Sequence, residues 1–243
     1  MIRSIAVAIS VLALVACGGG GSKSSSSSSS TLPQGTKPMK LDPADFTTNI
    51  DNPYWPMRPG SHWVYRETEN GETQRVDVTV LDRTKVLAGI TARVVHDRVT
   101  RKGQILENTY DWYAQDSHGN LWYLGEDTAE YENGQLKTTA GSWAAGVDGA
   151  EPGVVVPASP KQGMRYREEY YAGHAEDGAE VLSVSSQVQV PFGRFQNALL
   201  TRNFSAIEPT VEEMQLYAKG VGPVMELLVS GGSGRTELLS FTR

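Results

Sequence analysis

Alternation of apolar and polar residues, broken by very short turns, is the feature that most constrains how this chain can fold. Val76, Val78 and Val80, for example, alternate with Asp77 and Thr79, which is the two-residue period of a half-buried β-strand. Connections between such segments are too short for a crossover helix, so neighbouring strands must run antiparallel. Pairs typical of tight turns mark several of these connections: Asn70-Gly71, Ala88-Gly89, Lys102-Gly103 and Asn133-Gly134.

The pattern predicts a mainly β fold, either a single antiparallel curved sheet or a half-barrel or barrel-like meander, in one domain spanning residues 41–243. A β domain of about 200 residues commonly stays single. Two stretches break the alternation and are predicted to be loops, namely the glycine- and proline-rich residues 140–163 and the acidic residues 172–180. Beyond the first strands, we expect strands at 92–101, 105–115, 121–126, 164–171, 181–190, 198–204, 212–218, 224–229 and 236–241.

Residues 49–56 contain too many prolines and turn formers for a helix or a central strand. The segment also carries aromatic residues, which a simple linker would not need. We therefore expect a strap that packs on the domain through Phe46, Tyr54 and Trp55.

The first residues have the features of an export signal. Arg3 precedes an apolar run at residues 5–15, which is long enough for a signal-peptide core and too short to span a bilayer. The run ends in Ala16-Cys17, and Cys17 is the only cysteine. This junction resembles the lipobox of bacterial lipoproteins, which implies removal of residues 1–16 and attachment of lipid to Cys17; an ordinary signal peptide with a chance cysteine is the alternative.

Residues 17–40 begin with glycines and serines that cannot bury apolar area, and are expected to form a disordered tether behind the lipidated cysteine. The membrane is then a partner through the lipid on Cys17, and the protein belongs to the bacterial cell envelope. Gly18 stands where an Asp would mark inner-membrane retention in the enterobacterial sorting rule. That resemblance favours the outer membrane, facing the periplasm or the surface, if the cell has two membranes.

The formal net charge is −6, and the sequence contains no basic run. An acidic chain gives no electrostatic reason to bind nucleic acid or anionic lipid headgroups. Nucleic acid is therefore not expected as a partner.

Four local patterns of the sequence combine aromatic residues with prolines, glycines or carboxylates. Residues 52–65 read NPYWPxxPGxxWVY, residues 111–116 read DWYAQD, residues 119–123 read GNLWY, and residues 217–222 read YAKGVG. These patterns resemble an uncharacterised bacterial envelope lipoprotein family. The resemblance implies a curved antiparallel sheet and carries no assigned activity.

Aromatic residues at alternating positions are the main candidates for ligand binding. They could line a concave sheet face that holds an acyl chain, a sugar or a peptide, or they could simply fill the core. The candidate set is Trp63, Tyr65, Tyr110, Trp112 and Trp122.

The acidic stretch at residues 174–180 is the candidate for a cation. His174, Glu176, Asp177 and Glu180 could ligate a metal such as Ca²⁺, which prefers oxygen ligands, although their spacing matches no known calcium loop. A solvated acidic hairpin loop is the alternative. No cofactor is predicted.

Other carboxylates are candidates for acid–base chemistry. Glu168 and Glu169 are adjacent on a predicted strand, so their side chains are expected to face opposite sides. Asp111, Asp116 and Glu126 could converge, but nothing in their spacing requires it. No nucleophilic-serine elbow or nucleotide-binding loop is found in the sequence.

Three functions remain open. The favoured one is a non-enzymatic, lipid-anchored envelope protein that binds a hydrophobic or amphipathic ligand, or another envelope component, on its sheet. The second is a secreted hydrolase or metal-dependent enzyme with carboxylates on the loops at 140–163 and 172–180. The third is a purely structural envelope lipoprotein.

Overall fold

Residues 32–243 are described by a computed structural model, in which one antiparallel sheet closes on itself. The prediction of a mainly β, barrel-like meander is confirmed. Cys17, the signal segment 1–16 and residues 17–31 of the expected tether lie outside the described residues. Within residues 32–243, no helix is both long and apolar enough to cross a membrane.

The strands are joined mostly by tight turns. A 3₁₀ helix at Pro43–Asp45 precedes β1. The strands are β1 (Phe46–Thr47), β2 (His62–Glu69), β3 (Glu72–Leu87), β4 (Ile90–Arg101), β5 (Gln104–Asp116), β6 (Leu121–Glu132), β7 (Gln135–Thr138), β8 (Trp143–Ala144), β9 (Glu151–Val156), β10 (Arg165–Tyr171), β11 (Ala175–Val190), β12 (Gly193–Ser205), β13 (Glu212–Ala218), β14 (Gly222–Ser230) and β15 (Gly234–Thr242).

Twelve of these strands form a closed barrel. Strands β2 to β6 pair in sequence order, β6 pairs with β9, and β9 to β15 again pair in sequence order. The last strand, β15, pairs with β2 and closes the sheet. The short strands β1, β7 and β8 pair at the sides of β5 and β6. Closure leaves the twelve strands without the exposed edges that promote aggregation.

The hairpin turns form where the sequence predicts them. Asn70 and Gly71 have φ angles of 49° and 82°, and Asn133 and Gly134 have 54° and 77°. Two successive residues in the left-handed region match the twist of the flanking strands, which is why Asn-Gly pairs favour such hairpins.

Both loop predictions, for residues 140–163 and for residues 172–180, are partly wrong. Residues 140–163 contain β9, which pairs with β6 and β10 and completes the barrel wall. Residues 172–180 form only a short turn, because β11 already begins at Ala175. Residues 152–156 of β9 are all buried, so a strand containing a proline and a glycine is stabilised here by burial between its neighbours.

The structure places residues 33–37, which the sequence assigns to the tether, against the barrel. Arg167 on β10 holds this stretch: its Nη1 donates to the carbonyl oxygens of Gly35 and Lys37, each at 2.9 Å. The backbone N–H of Arg167 also donates to Pro33 at 2.8 Å. Residues 33–37 therefore lie on the outer wall of the barrel.

The strap prediction is confirmed. Tyr54 and Trp55 are buried, and Phe46 packs against the hydrophobic core. The strap is closed by a hydrogen bond from the Met57 backbone N–H to Ile50 at 3.0 Å. It covers the end of the barrel that carries the β5–β6 and β13–β14 turns, since Asn52 donates a hydrogen bond to Gly119 and Gly220 donates one to Pro53. We call this the closed end. The opposite end, near the β2–β3 and β4–β5 turns, is called the mouth.

Candidate functional site

Trp55 of the strap lies among the aromatic residues at the closed end of the lumen. Its ring centroid is 5.5 Å from that of Tyr113 and 6.1 Å from that of Tyr217. Gly222 provides the space, because a Cβ atom there would lie 2.8 Å from Cδ1 of Trp55. The closed end is therefore a packed aromatic core.

Two small cavities lie deeper in the lumen. One of about 60 Å³ lies beside Trp55, Tyr65 and Glu67, and another of about 30 Å³ lies beside Trp55 and Glu168. Cavities of this size hold a few water molecules, and neither has room for an acyl chain.

Glu168 and Glu169 both face the smaller cavity, which corrects the expectation that they face opposite sides. The pairing between β10 and β11 shifts between Arg167 and Glu169, so that Glu168 is an extra residue in the strand. Such a β-bulge places two consecutive residues opposite a single partner and breaks the alternation. Each glutamate is only 6% exposed.

These carboxyl groups favour the protonated form. Burial raises the pKa of Glu168 to about 8, with the charge of Asp177 adding to the effect. Burial, Asp177 and Glu126 raise the pKa of Glu169 well above its ordinary value. Desolvation and Asp111 do the same for Glu126. In the free protein at neutral pH, the inner lumen therefore carries less negative charge than its composition implies.

Of Asp111, Asp116 and Glu126, which the sequence leaves free to converge, the structure brings two close together. Asp111 and Glu126 are directly opposite across β5 and β6, and Asp111 accepts a hydrogen bond from the hydroxyl of Tyr123 at 2.9 Å. Asp116 instead organises the β5–β6 turn. It accepts hydrogen bonds from the backbone N–H groups of His118 and Asn120 at 3.0 and 2.8 Å.

The mouth contains a much larger basin of about 370 Å³. Acidic side chains dominate its lining, and both cations are already engaged: Arg101 with Glu72, and Lys137 with Glu130 at 3.5 Å. Apolar surface comes from Val99, Leu106 and Tyr131. The acidic lining residues are Glu67, Glu69, Glu107, Glu130 and Glu132.

The predicted aromatic set is divided between the two faces of the sheet. Trp63 and Tyr65 pair with Val78 and Val76 on the lumen side. They help to fill the lumen, and each donates a hydrogen bond to the backbone: Trp63 to Val221 at 2.8 Å, and Tyr65 to Pro223 at 3.0 Å.

The other three aromatic candidates alternate with lumen residues and lie on the outer face. Tyr110 stacks on His96 with a centroid distance of 4.7 Å, and Lys85 lies 3.4 Å above the ring of Trp112. The indole N–H of Trp122 donates to Asp116 at 2.8 Å. The five residues do not form one aromatic surface.

The four predicted metal candidates also separate. His174 stacks on Tyr171 with a centroid distance of 4.4 Å, and Asp177 faces the lumen cavity. Glu180 is on the outer face, where Arg165 and Arg202 lower its pKa by hydrogen bonding. Glu176 accepts a hydrogen bond from the Gly173 backbone. Within residues 32–243, no group of three or more His, Cys, Asp or Glu side chains is arranged to hold a metal ion.

The glutamates of the mouth are not among the residues predicted from the sequence, although the alternation of one strand indicates one of them. Glu67 follows Trp63 and Tyr65 at the same parity, so the alternation that places the two aromatics on one face places Glu67 there as well. An acidic residue continuing an apolar face indicates that the face reaches solvent or a polar cavity.

Comparison with known proteins gives little on function. No family model matches the chain, and no curated protein matches it. Among solved structures, it is similar to an inferred exported protein with a YmcC-like fold from Bacteroides fragilis (13% identity, TM-score 0.48, covering 78% of this chain and 99% of that one). It is also similar to an inferred lipoprotein from Parabacteroides distasonis (13% identity, TM-score 0.44, covering 78% and 98%).

Proposed function

We propose that the protein is a lipid-anchored, non-enzymatic envelope protein that binds an amphipathic cation at the mouth of its barrel. The observation that carries this proposal is the basin at the mouth, which is lined by five glutamates and only two cationic side chains, Arg101 and Lys137. Its volume of about 370 Å³ lies within the range of small-ligand pockets.

The charge of the basin favours a cation. Both cationic side chains of the lining already have acidic partners, Glu72 and Glu130, so the basin as a whole has an excess of acidic groups. A ligand ammonium group would gain from that field, and because the basin is open to solvent the gain is screened by salt.

The apolar part of the lining argues for an amphipathic ligand over a simple ion. Val99, Leu106 and Tyr131 provide apolar wall beside the glutamates. An ammonium group bearing a short alkyl or aryl part could place its charge among the carboxylates and bury its apolar part against these side chains.

The filled closed end argues against deep insertion of a lipid chain. Trp55, Tyr113 and Tyr217 fill the closed end of the lumen, where the tail of a lipid that entered from the mouth would have to lie. The two inner cavities beside them are small. The enzymatic alternative required convergent groups on two loops, yet His174 and Glu180 lie apart and residues 151–156 are a barrel strand.

The ligand proposal is tested with residues 17–243 carrying Cys17→Ala, since every paired strand lies within residues 46–242. Octylammonium is titrated by calorimetry. The matched probes are octanoate, which keeps the tail but carries the opposite charge, and methylammonium, which keeps the charge but lacks the tail. We expect octylammonium to bind, and its affinity to fall between about 0.05 and about 0.5 M salt.

Variants of the mouth locate that binding. Glu107→Gln and Glu67→Gln should each weaken octylammonium by about fivefold. Asp127→Asn is the matched control, because Asp127 is exposed on the outer face of β6, opposite Tyr110. Equal binding of octanoate, or equal losses in the control, would contradict the proposal.

The anchor is tested separately in cells. A palmitate analogue should label the full chain, and Cys17→Ala should abolish the label, because Cys17 is the only thiol and the lipid would be attached there. Equal labelling of both chains would exclude lipidation at Cys17, and would remove the argument for placing the protein at an envelope membrane.

A further inference from the structure

A second concavity lies at the closed end of the barrel, on the side opposite the mouth. It has a volume of about 430 Å³ and is formed where the strap meets the β13–β14 turn and the C-terminal end of β15. Its walls include Pro53 and Pro56 of the strap and Gly220 of the turn. We call it the basic basin, after its three cationic lining residues, Arg58, Lys219 and Arg243.

The three cations come from three separate parts of the chain. Arg58 follows the strap, Lys219 lies in the β13–β14 turn, and Arg243 follows β15. Lys219 Nζ lies 5.3 Å from the ring centroid of Tyr54, and the guanidinium of Arg243 donates to the carbonyl oxygen of Gly220. Barrel closure therefore brings together charges that are far apart in sequence.

Acidic neighbours do not neutralise this group. In the described part of the chain, no carboxylate lies within ion-pair distance of Arg58, Lys219 or Arg243. Asp51 is the acidic side chain of the lining, and it accepts a hydrogen bond from the Gln115 amide at 2.6 Å. The lining thus contains three cationic side chains and one acidic side chain, in contrast to the net charge of −6 for the whole chain.

We propose that the basic basin binds an oxyanion of the phosphate class. Two guanidinium groups can each donate paired N–H groups to phosphate oxygens, and the lysine supplies a compact charge. A free phosphate and the headgroup of an anionic phospholipid share this chemistry. Either ligand would connect the strap to β13–β14 and β15, and would stabilise the folded state by mass action.

Inorganic phosphate is the first probe, used with residues 17–243 carrying Cys17→Ala. We expect ³¹P line broadening on adding protein, and a rise of about 3 °C in the thermal midpoint at saturating phosphate. Arg58→Gln and Lys219→Gln should each reduce both effects, and the triple variant with Arg243→Gln should abolish them. Arg194→Gln is the matched control, since Arg194 is an exposed arginine on β12 that contacts Gln187.

Vesicles distinguish the two sources of the anion. Co-sedimentation with vesicles of phosphatidylcholine containing about 30% phosphatidylglycerol, but not with phosphatidylcholine alone, would assign the site to a lipid headgroup. Phosphate binding without vesicle binding would assign it to a free anion. The proposal is overturned if neither probe binds, or if the triple variant, shown to be folded by circular dichroism, responds like the Arg194→Gln control.

Discussion

Gly153 of β9 lies directly against the backbone of Glu168 on β10. A Cβ atom at Gly153 would be 2.5 Å from the carbonyl carbon and oxygen of Glu168, and 2.4 Å from the carbonyl oxygen of Arg167. The bulge that turns Glu168 into the lumen is therefore accommodated by the absence of a side chain on the neighbouring strand.

Replacing Gly153 with alanine should destabilise the protein strongly. The new methyl group meets backbone atoms, which cannot move aside as a flexible side chain can, so we expect the free energy of unfolding to fall by about 3 kcal/mol or more. Urea denaturation measures the change. Gly193→Ala is the control: nothing lies closer than 3.8 Å to a Cβ there, and a change within about 1 kcal/mol is expected.

Trp55 should be a main contributor to the stability of the closed end. Trp55→Ala removes a side chain that is 3% exposed and packs on Tyr113 and Tyr217, so a loss of about 3–5 kcal/mol is expected in urea denaturation. Trp55→Phe keeps an aromatic ring and should lose less. Faster hydrogen exchange at the Met57 amide in Trp55→Ala would show that the strap opens. Unchanged exchange would contradict the role of Trp55 in holding the strap against the closed end.

The local fold was predictable where short-range sequence decides it. Asn70-Gly71 and Asn133-Gly134 supply two residues that tolerate positive φ, and hairpins follow directly. Tyr54 and Trp55 of the strap could be assigned to the core. The prolines on either side of them exclude a helix or a central strand, and large aromatic side chains are stabilised by burial.

Features set by distant partners could not be predicted. The strand at residues 151–156 contains Pro152 and Gly153 and resembles a loop when read alone; its pairing with β6 and β10 makes it a wall of the barrel. Likewise the bulge at Glu168 arises from pairing with β11. Because a bulge inserts one extra residue into the strand, strict alternation along the sequence assigns Glu168 and Glu169 to opposite faces, although both face the lumen.

The candidate site was only partly predictable for a related reason. Alternation correctly places Trp63 with Tyr65 and Tyr110 with Trp112, but it does not say which face of each strand is the lumen. Both faces of β5 carry aromatic residues, because its outer face is also covered. Only the closed topology separates the lumen pair from the outer pair.

Asp116 should be required for the β5–β6 turn. Its carboxylate accepts from the side chains of Asn120 and Trp122, each at 2.8 Å, as well as from turn N–H groups. Asp116→Ala would leave these donors without an acceptor in a buried place, and a loss of about 3 kcal/mol is expected in urea denaturation. Asp116→Asn retains one oxygen acceptor and should lose less. No loss at all in Asp116→Asn would indicate that the side chain matters only for its volume, and would contradict the prediction.

Glu168 should make the folded state less stable as the pH rises. Its folded-state pKa is about 8, against an ordinary value of 4.5. Between these values the unfolded chain releases the proton while the folded protein retains it, so unfolding becomes progressively more favourable with increasing pH. Glu168→Gln removes this ionisation, and should increase the free energy of unfolding at pH 8 by a few kcal/mol relative to the parent, with little gain at pH 4.

Glu237 provides a control of opposite sign on the outer face. Hydrogen bonds from Arg235 and Arg66 lower its pKa, so its contribution to stability is present above the unfolded-state pKa and is lost as the pH falls. Urea denaturation from pH 4 to 9 should therefore show that Glu168→Gln flattens the decline at high pH, whereas Glu237→Gln leaves that decline intact. A parent protein whose stability is constant between pH 5 and 8 would contradict the assignment of Glu168 as a buried, protonated carboxyl group.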